Sequence, residues 1–334
     1  MKSVNVLVIG PKEHMPISKE CLCQITAISP RIKLRDVSDL VSAEQKGGFA
    51  AKEQLDALLA EAEVIYGSIS PRNLISRAPK LRWIHTMLAG VDPFLNADIA
   101  HSPVILTKTR GIHGQISELV FEMILMFAKQ APLYFRLKQE KRWQQFNTLP
   151  LRSKTVGIVG LGSIGKDVAR LAKAFGMRVV ATRKSTKRVA RSRYADMVLP
   201  GEQLQVLLSE SDFVVLTLPL TAETKKLVGE RELRTMKSTA YLINVARGSI
   251  VDEEALIRAL SENWIAGAGL DVFATEPLPT DSKLWEFPNV IITPHIAGRV
   301  PNIDVIATEL FCENLRRYLD GKKLLNVVDK KKGY

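Results

Sequence analysis

Cysteine is scarce in this chain. Cys21, Cys23 and Cys312 are the three thiols, an odd number and too few for a disulfide framework. Cys21-Leu22-Cys23 is spaced too tightly for a zinc site and has no histidine beside it, so no metal centre is expected. Free thiols, buried or half-buried, fit a reducing cytoplasm. Long apolar runs are missing as well. The most apolar helical stretch, Leu119 to Ala128, carries Glu122 in its middle, which argues against a membrane span. The run Val4-Asn5-Val6-Leu7-Val8-Ile9 is too short for a signal-peptide core and is followed by no small-residue cleavage site, so no secretory leader is expected. Neither an internal repeat nor a low-complexity segment is present, which sets aside solenoids and extended linkers. Acidic residues are in the minority: 47 Lys and Arg stand against 35 Asp and Glu, a net charge of +12. The basic residues are spread along the chain. They read as a solvated surface that attracts anionic small molecules rather than as a nucleic-acid footprint.

What is present is a long alternation of short β-rich runs with amphipathic ones. At 334 residues, two domains are expected. Val4 to Ile9, Glu63 to Tyr66, Trp83 to Thr86 and Val104 to Leu106 read as strands of one parallel sheet, covered by helices near Lys19 to Ile28 and Lys52 to Ala62. A connecting helix is expected over Ile116 to Arg136. A second βα series starts at Thr155 and runs to Val290-Ile291-Ile292, and a last helix, Asp304 to Leu319, returns to the first domain. The fold class expected is α/β, with two Rossmann-like doubly wound parallel-sheet domains and an active site in the cleft between them. The expected division is residues 1–104 with 300–334 for a discontinuous substrate domain, and 105–299 for a dinucleotide-binding domain. The terminal Lys330-Lys331-Lys332 reads as a frayed end.

Gly160-Leu161-Gly162-Ser163-Ile164-Gly165 follows the buried strand Thr155 to Val159 and opens a helix expected over Lys166 to Phe175. That context makes the glycine pattern a dinucleotide loop. Gly160 allows the tight turn, and Gly162 lets the backbone approach a pyrophosphate. Gly165 lets helix and strand pack, and Ser163 and Ile164 open the helix whose N-terminus faces the negative charge. An acid about 20 residues further on would bind the ribose of NAD(H). Here the next strand ends instead at Thr182-Arg183-Lys184, with Lys187 and Arg188 following. Guanidinium and ammonium groups there suit a 2′-phosphate, so NADP(H) is expected in preference to NAD(H).

Downstream of that loop, three polar residues follow expected strand ends. Arg247 lies in Asn244-Val245-Ala246-Arg247-Gly248, where a guanidinium can bind a substrate carboxylate and polarise the adjacent carbonyl. Glu276 lies in Asp271-Val272-Phe273-Ala274-Thr275-Glu276-Pro277, and His295 in Thr293-Pro294-His295-Ile296-Ala297-Gly298. His295 is the candidate general acid/base, and Glu276 is the carboxylate that holds its ring. His14, His85, His101 and His113 have no such context and read as structural. A cation, a carboxylate and an imidazole behind a dinucleotide loop describe a hydride-transfer site.

These motifs, in this order, resemble the D-isomer-specific 2-hydroxyacid dehydrogenase family over nearly the whole length. Glu313-Asn314-Leu315 and Asn326-Val327-Val328 add to the likeness. The resemblance implies the catalytic roles of Arg247, Glu276 and His295. It implies that Asp271 meets the nicotinamide side of the cofactor and that Leu218, Pro219, Val245, Ala246 and Gly298 line the cofactor cleft. It also implies that the loop Leu88-Ala89-Gly90-Val91 offers backbone N–H groups to the substrate carboxylate, as the small Ala89 and Gly90 behind a strand independently allow. Arg183 matches the NADP-preferring glyoxylate and hydroxypyruvate reductase branch, while Met87, Leu88 and Trp285 are candidates for a side-chain pocket. Family members commonly form homodimers through a long helix matching Ile116 to Phe135. Its Val120, Ile124 and Phe127 fit such an interface or the subunit's own core. Two other readings stand beside the leading one: oxidation of phosphite or another small acid on the same fold, and a non-catalytic dinucleotide-sensing corepressor. Glu276 opposes the formate branch, in which glutamine takes its place.

Overall fold

A computed structural model describes residues 3–10, 16–95, 97–111 and 113–333; His14 lies outside them. The chain divides into two compact units, Met1–Gly111 with Val300–Tyr334, and Ile112–Arg299.

The first unit runs β1 (Val4–Ile9), α1 (Lys19–Thr26), β2 (Ile32–Asp36), α2 (Ser38–Gln45), α3 (Phe49–Leu59), β3 (Val64–Gly67), α4 (Leu74–Arg77), β4 (Trp83–Thr86), α5 (Ala97–Ala100) and β5 (Ile105–Lys108). Its sheet is parallel throughout, in the order β2-β1-β3-β4-β5. The two-residue period of β1 explains how both faces are filled. Val4, Val6 and Val8 join Tyr66 and Trp83 on one face, and Leu7 and Ile9 join Ile65 and Ile84 on the other.

The second unit holds α6 (His113–Ala128), α7 (Ala131–Gln139), β6 (Thr155–Val159), α8 (Ser163–Ala174), β7 (Arg178–Thr182), β8 (Met197–Leu199), α9 (Leu204–Glu210), β9 (Phe213–Leu216), α10 (Glu230–Thr235), β10 (Tyr241–Asn244), α11 (Glu253–Ser261), β11 (Gly267–Leu270) and β12 (Val290–Ile292). Its seven strands are again all parallel, ordered β12-β11-β10-β9-β6-β7-β8. The chain then returns to the first unit as α12 (Ile303–Leu319). There Phe311 stacks on Tyr66 at 4.2 Å between ring centres, and the Tyr66 and Thr308 hydroxyls lie 2.9 Å apart.

Several local expectations change. Ile116 to Arg136 is two helices, α6 and α7. Gln130 takes φ +57°, and Pro132 opens α7, because proline has no N–H to continue a helix interior. Val120, Ile124 and Phe127 are buried within the chain. The first sheet takes β5 as its edge strand, so the break between units follows Gly111 and not residue 104. The strand β2 and helix α2 appear where no element was expected, since β2 is a polar edge strand, Ile-Lys-Leu-Arg-Asp. Helix α8 begins at Ser163, directly on the glycine loop, and not at Lys166. Cys21 and Cys312 are buried but Cys23 is exposed, and all three are free thiols. Met87 is fully buried in the core of its unit. The tail is not frayed at Lys330, whose ammonium donates to the carbonyls of Ile99, Ser102 and Val104 at 3.1, 2.5 and 2.9 Å. Among the described residues, no helix is long and apolar enough to cross a membrane.

Candidate active site

Three adjacent strands of the second sheet, β10, β11 and β12, carry the turns that hold Arg247, Glu276 and His295. Parallel strands present all their carboxyl ends on one edge, which is where ligands bind in such sheets. The Arg247 turn is folded by the buried side chain of Asn244. Its Oδ1 accepts from the Ala246 N–H at 3.0 Å, and its Nδ2 donates to the Arg247 carbonyl at 3.0 Å. Arg247 Nη1 donates to the Ala246 carbonyl at 2.7 Å. Gly248 draws this turn against the next one. A Cβ there would lie 1.9 Å from the carbonyl carbon of Phe273, so no other residue fits without displacing backbone.

Glu276 sits at the far side of that Phe273 turn. Its Oε1 accepts from the Phe273 N–H at 3.0 Å, which leaves Oε2 to meet His295 Nδ1 at 2.7 Å. The two side chains are 36% and 46% exposed, so the pair is formed but open to a ligand. With Nδ1 held by the carboxylate, Nε2 is the nitrogen that remains for substrate.

His295 has φ +52°, a backbone conformation that costs a side-chain-bearing residue energy and persists where its surroundings impose it. Those surroundings are Asp271. The His295 N–H donates to the Asp271 carbonyl at 2.9 Å. Oδ1 of Asp271 accepts from the Thr293 hydroxyl at 2.6 Å and the Ile296 N–H at 2.8 Å, and Oδ2 accepts from the Ala297 N–H at 3.0 Å. The Asp271 carboxylate therefore folds the His295 loop. Asn244 and Thr293 are positioning residues to which the sequence assigns no role, and Asp271 positions the His295 loop as well. The signal was present, since a polar residue closing or following an otherwise apolar strand has to find partners in the next turn.

The glycine loop has the shape its spacing predicts. Gly160 takes φ +102°, and a Cβ at Gly165 would strike the Gly160 carbonyl oxygen at 2.4 Å. Leu218 backs onto the loop, with its Cβ 3.1 Å from where a Gly160 Cβ would stand, and Pro219 beside it is exposed. A Cβ at Gly162 would meet nothing within 4 Å, and no side chain caps α8 there. The first N–H groups of α8, at Ser163 and Ile164, therefore face open space where an anion can bind. Val245 and Ala246 are buried beneath their turn, and Gly298 is half-buried. Arg183, Lys184, Lys187 and Arg188 are all exposed after β7, and Lys184 is ion-paired with Glu223 from the loop after β9.

In the first unit, the loop Leu88-Ala89-Gly90-Val91 follows β4. The Thr86 hydroxyl accepts the Leu88 N–H at 3.1 Å. The N–H groups of Ala89, Gly90 and Val91 have no acceptor among the described residues. The remaining histidines lie apart from these turns. His85 is fully buried against the Thr107 hydroxyl at 2.7 Å, and burial pushes its pKa down to about 3. His101 bonds the Ala97 carbonyl at 2.9 Å, and His113 lies 3.5 Å from Asp167. Among the described residues, no cluster of His, Cys, Asp and Glu could hold a metal ion.

Comparison with known proteins agrees with this geometry. Residues 121–297 match the model of the D-isomer specific 2-hydroxyacid dehydrogenase NAD-binding domain. Glyoxylate reductase of Aeropyrum pernix is 36% identical over 294 residues, 83% of this chain and 86% of that protein. A D-isomer specific 2-hydroxyacid dehydrogenase family protein from Aeromonas salmonicida superposes with a TM-score of 0.82 at 30% identity, over 98% of this chain and 100% of that one. An NADPH-dependent glyoxylate/hydroxypyruvate reductase from Sinorhizobium meliloti, solved with NADP and sulfate, superposes with a TM-score of 0.84 at 27% identity, over 99% of this chain and 100% of that one. With the family's turns folded onto neighbouring strand ends and the match spanning both units, the chain belongs to the D-isomer specific 2-hydroxyacid dehydrogenases and is an NAD(P)-dependent oxidoreductase.

Proposed function

We propose that the chain reduces small 2-oxo acids of the glyoxylate and hydroxypyruvate type to D-2-hydroxy acids with NADP(H), reversibly, with NAD(H) as a weaker alternative. The observation that carries this reading is the Glu276 carboxylate on His295 Nδ1 at 2.7 Å, in a turn folded by Asp271 and two strands away from Arg247.

The residues present fit a dinucleotide. The open face of Gly162 and the uncapped start of α8 suit its pyrophosphate, held at the Ser163 and Ile164 N–H groups. Arg183, Lys184, Lys187 and Arg188 suit a 2′-phosphate, with no acid at the end of β7 to repel it. The Lys184–Glu223 pair is more than two-thirds exposed on both sides. Exposed pairs are worth about 0–1 kcal/mol, so a dianionic phosphate competes for Lys184 readily. Leu218, Pro219, Val245, Ala246, Asp271 and Gly298 belong to the cofactor side of the same proposal.

When bound, the nicotinamide supplies or accepts the hydride. The chain's own residues do the rest. Arg247 and the Ala89, Gly90 and Val91 N–H groups hold the substrate carboxylate, Leu88 flanks it, and Arg247 polarises the neighbouring carbonyl. His295 Nε2 gives its proton to the carbonyl oxygen in reduction and takes it back in oxidation. Glu276 fixes the tautomer and the ring orientation. A carboxylate at this position also separates the chain from the formate-type branch. The phosphite and corepressor readings find no specific observation in their favour.

A homodimer and a cytoplasmic setting complete the proposal. A groove along α6, lined by Phe121, Leu125, Met126 and Tyr134 together with Glu118, Glu122 and Lys129, shares Lys129 and Tyr134 with a second groove lined by Gln144, Phe146 and Thr148, next to Trp143, which is 96% exposed. Solvent-exposed tryptophan next to an apolar groove suits burial against a second copy. Three free thiols suit a reducing compartment.

Steady-state reduction of glyoxylate with NADPH and with NADH, in the wild type and in Arg183→Ala, tests the reading. The expected result is a higher kcat/KM with NADPH that falls toward the NADH value in the variant. A wild type that turns over no 2-oxo acid, or that prefers NADH and is indifferent to Arg183, refutes it.

A further inference from the structure

A dinucleotide sheet ordinarily closes its second strand with an acid that bonds the ribose of NAD(H). Here β7 closes at Thr182 and the chain continues into Arg183 and Lys184. A carboxylate nevertheless reaches this place from another strand. Glu223, in the loop after β9, is ion-paired through Oε2 with the Lys184 ammonium.

The topology gives that pair its meaning. In the second sheet β6 lies between β9 and β7, so the loops after those two strands flank the glycine loop that follows β6. Neighbouring strands stand about 4.8 Å apart, which separates β7 from β9 by about 10 Å. The Lys184–Glu223 bridge therefore spans the carboxyl end of β6. It stands beside the point where the strand order reverses, between β6 and β9, where such sheets bind a dinucleotide. Backbone on both sides is held. The Arg183 N–H donates to the Leu199 carbonyl at 3.0 Å, and the Thr186 N–H to the Arg183 carbonyl at 3.0 Å. Across from them, the Thr221 N–H donates to Thr224 Oγ1 at 2.8 Å, and that hydroxyl donates to the Pro219 carbonyl at 2.7 Å. The two charged side chains are exposed, so either can exchange its partner for a ligand.

We infer that Glu223 is a specificity-determining residue that sets the balance between the two cofactors. Its carboxylate bonds the ribose hydroxyls of NAD(H), the task of the acid that β7 lacks. With NADP(H) the 2′-phosphate takes the Lys184 ammonium in its place, and the two negative groups repel each other. Glu223 thus favours the unphosphorylated cofactor and tempers the preference that Arg183 and Lys184 create. The inference rests on the dinucleotide reading above and deepens it.

The test is the Kd of NADH and of NADPH, by fluorescence titration without substrate, in the wild type and in Glu223→Ala. NADH binding should weaken about three- to ten-fold in the variant, the worth of one hydrogen bond. NADPH binding should hold or tighten by up to about five-fold, the worth of releasing an exposed ion pair. The opposed directions are the diagnostic result, since damage to the loop weakens both cofactors and loss of a mere surface charge tightens both. An NADH affinity that holds or rises, or any loss of NADPH affinity, overturns the role of Glu223 and leaves the dinucleotide reading in place. A wild type that binds neither cofactor takes both down.

Discussion

The hydroxyl of Thr293 donates to Oδ1 of Asp271 at 2.6 Å, and that bond is one of three by which a fully buried carboxylate folds the loop around His295. The imidazole itself touches Glu276, but the left-handed backbone that aims it is imposed from Asp271. Placement of the proton donor is thus divided. Glu276 sets the ring, and Asp271 sets the chain that carries the ring.

Asp271→Asn separates these two jobs. The amide cannot accept at both positions, so one buried N–H or hydroxyl loses its acceptor, at about 1–3 kcal/mol. The loop relaxes and His295 leaves its position. We expect kcat to drop at least about ten-fold, as a loss of that size implies. A variant with full kcat would show that the loop holds its shape without the carboxylate.

Arg247→Lys keeps the charge and removes the planar fork. An ammonium cannot make two parallel bonds to a carboxylate. KM for the 2-oxo acid should rise by about 10- to 100-fold, the range for a lost bond to a charged group. Asn244→Ala should act in the same direction, because the Asn244 amide makes both hydrogen bonds that fold the Arg247 turn. Steady-state kinetics with glyoxylate checks both, and an unchanged KM in Arg247→Lys would remove the guanidinium from the substrate site.

His85 predicts a pH dependence of stability unrelated to catalysis. Burial pushes its folded pKa down to about 3, while the unfolded value is near 6.5. Above roughly pH 6.5 both states are neutral and nothing is lost. Below it the unfolded state binds the proton first, so stability falls as pH drops toward 3. By pH 5 this one group should cost on the order of 2 kcal/mol. Urea unfolding at pH 7 and pH 5 should show that loss in the wild type and a shallower slope in His85→Gln. Equal slopes would mean that His85 is not held neutral in the folded state.

Much of this was legible in the sequence, because the informative residues sit at strand ends. Apolar strands such as Thr155–Val159 and Phe213–Leu216 announce themselves, and the glycine loop, Arg247, Glu276 and His295 each follow one. Polar edges were harder to see. Strand β2 alternates Lys and Arg with apolar residues and is exposed on its outer side, so its periodicity is that of a surface segment. The break between α6 and α7 was masked by apolar residues on both sides of Gln130, although Pro132 marks it. For Asp271 the sequence suggests only a cofactor role and hides the folding one. Its bonds to Thr293, Ile296 and Ala297 span more than twenty residues of chain and depend on β11 and β12 being neighbours.

Single-turnover oxidation of NADPH by glyoxylate, in the wild type and in His295→Ala, tests the account most directly. Losing the proton donor should slow the chemical step by about 100- to 10,000-fold while NADPH still binds. A chemical step in His295→Ala within about two-fold of the wild type, well below what a general acid contributes, would contradict it.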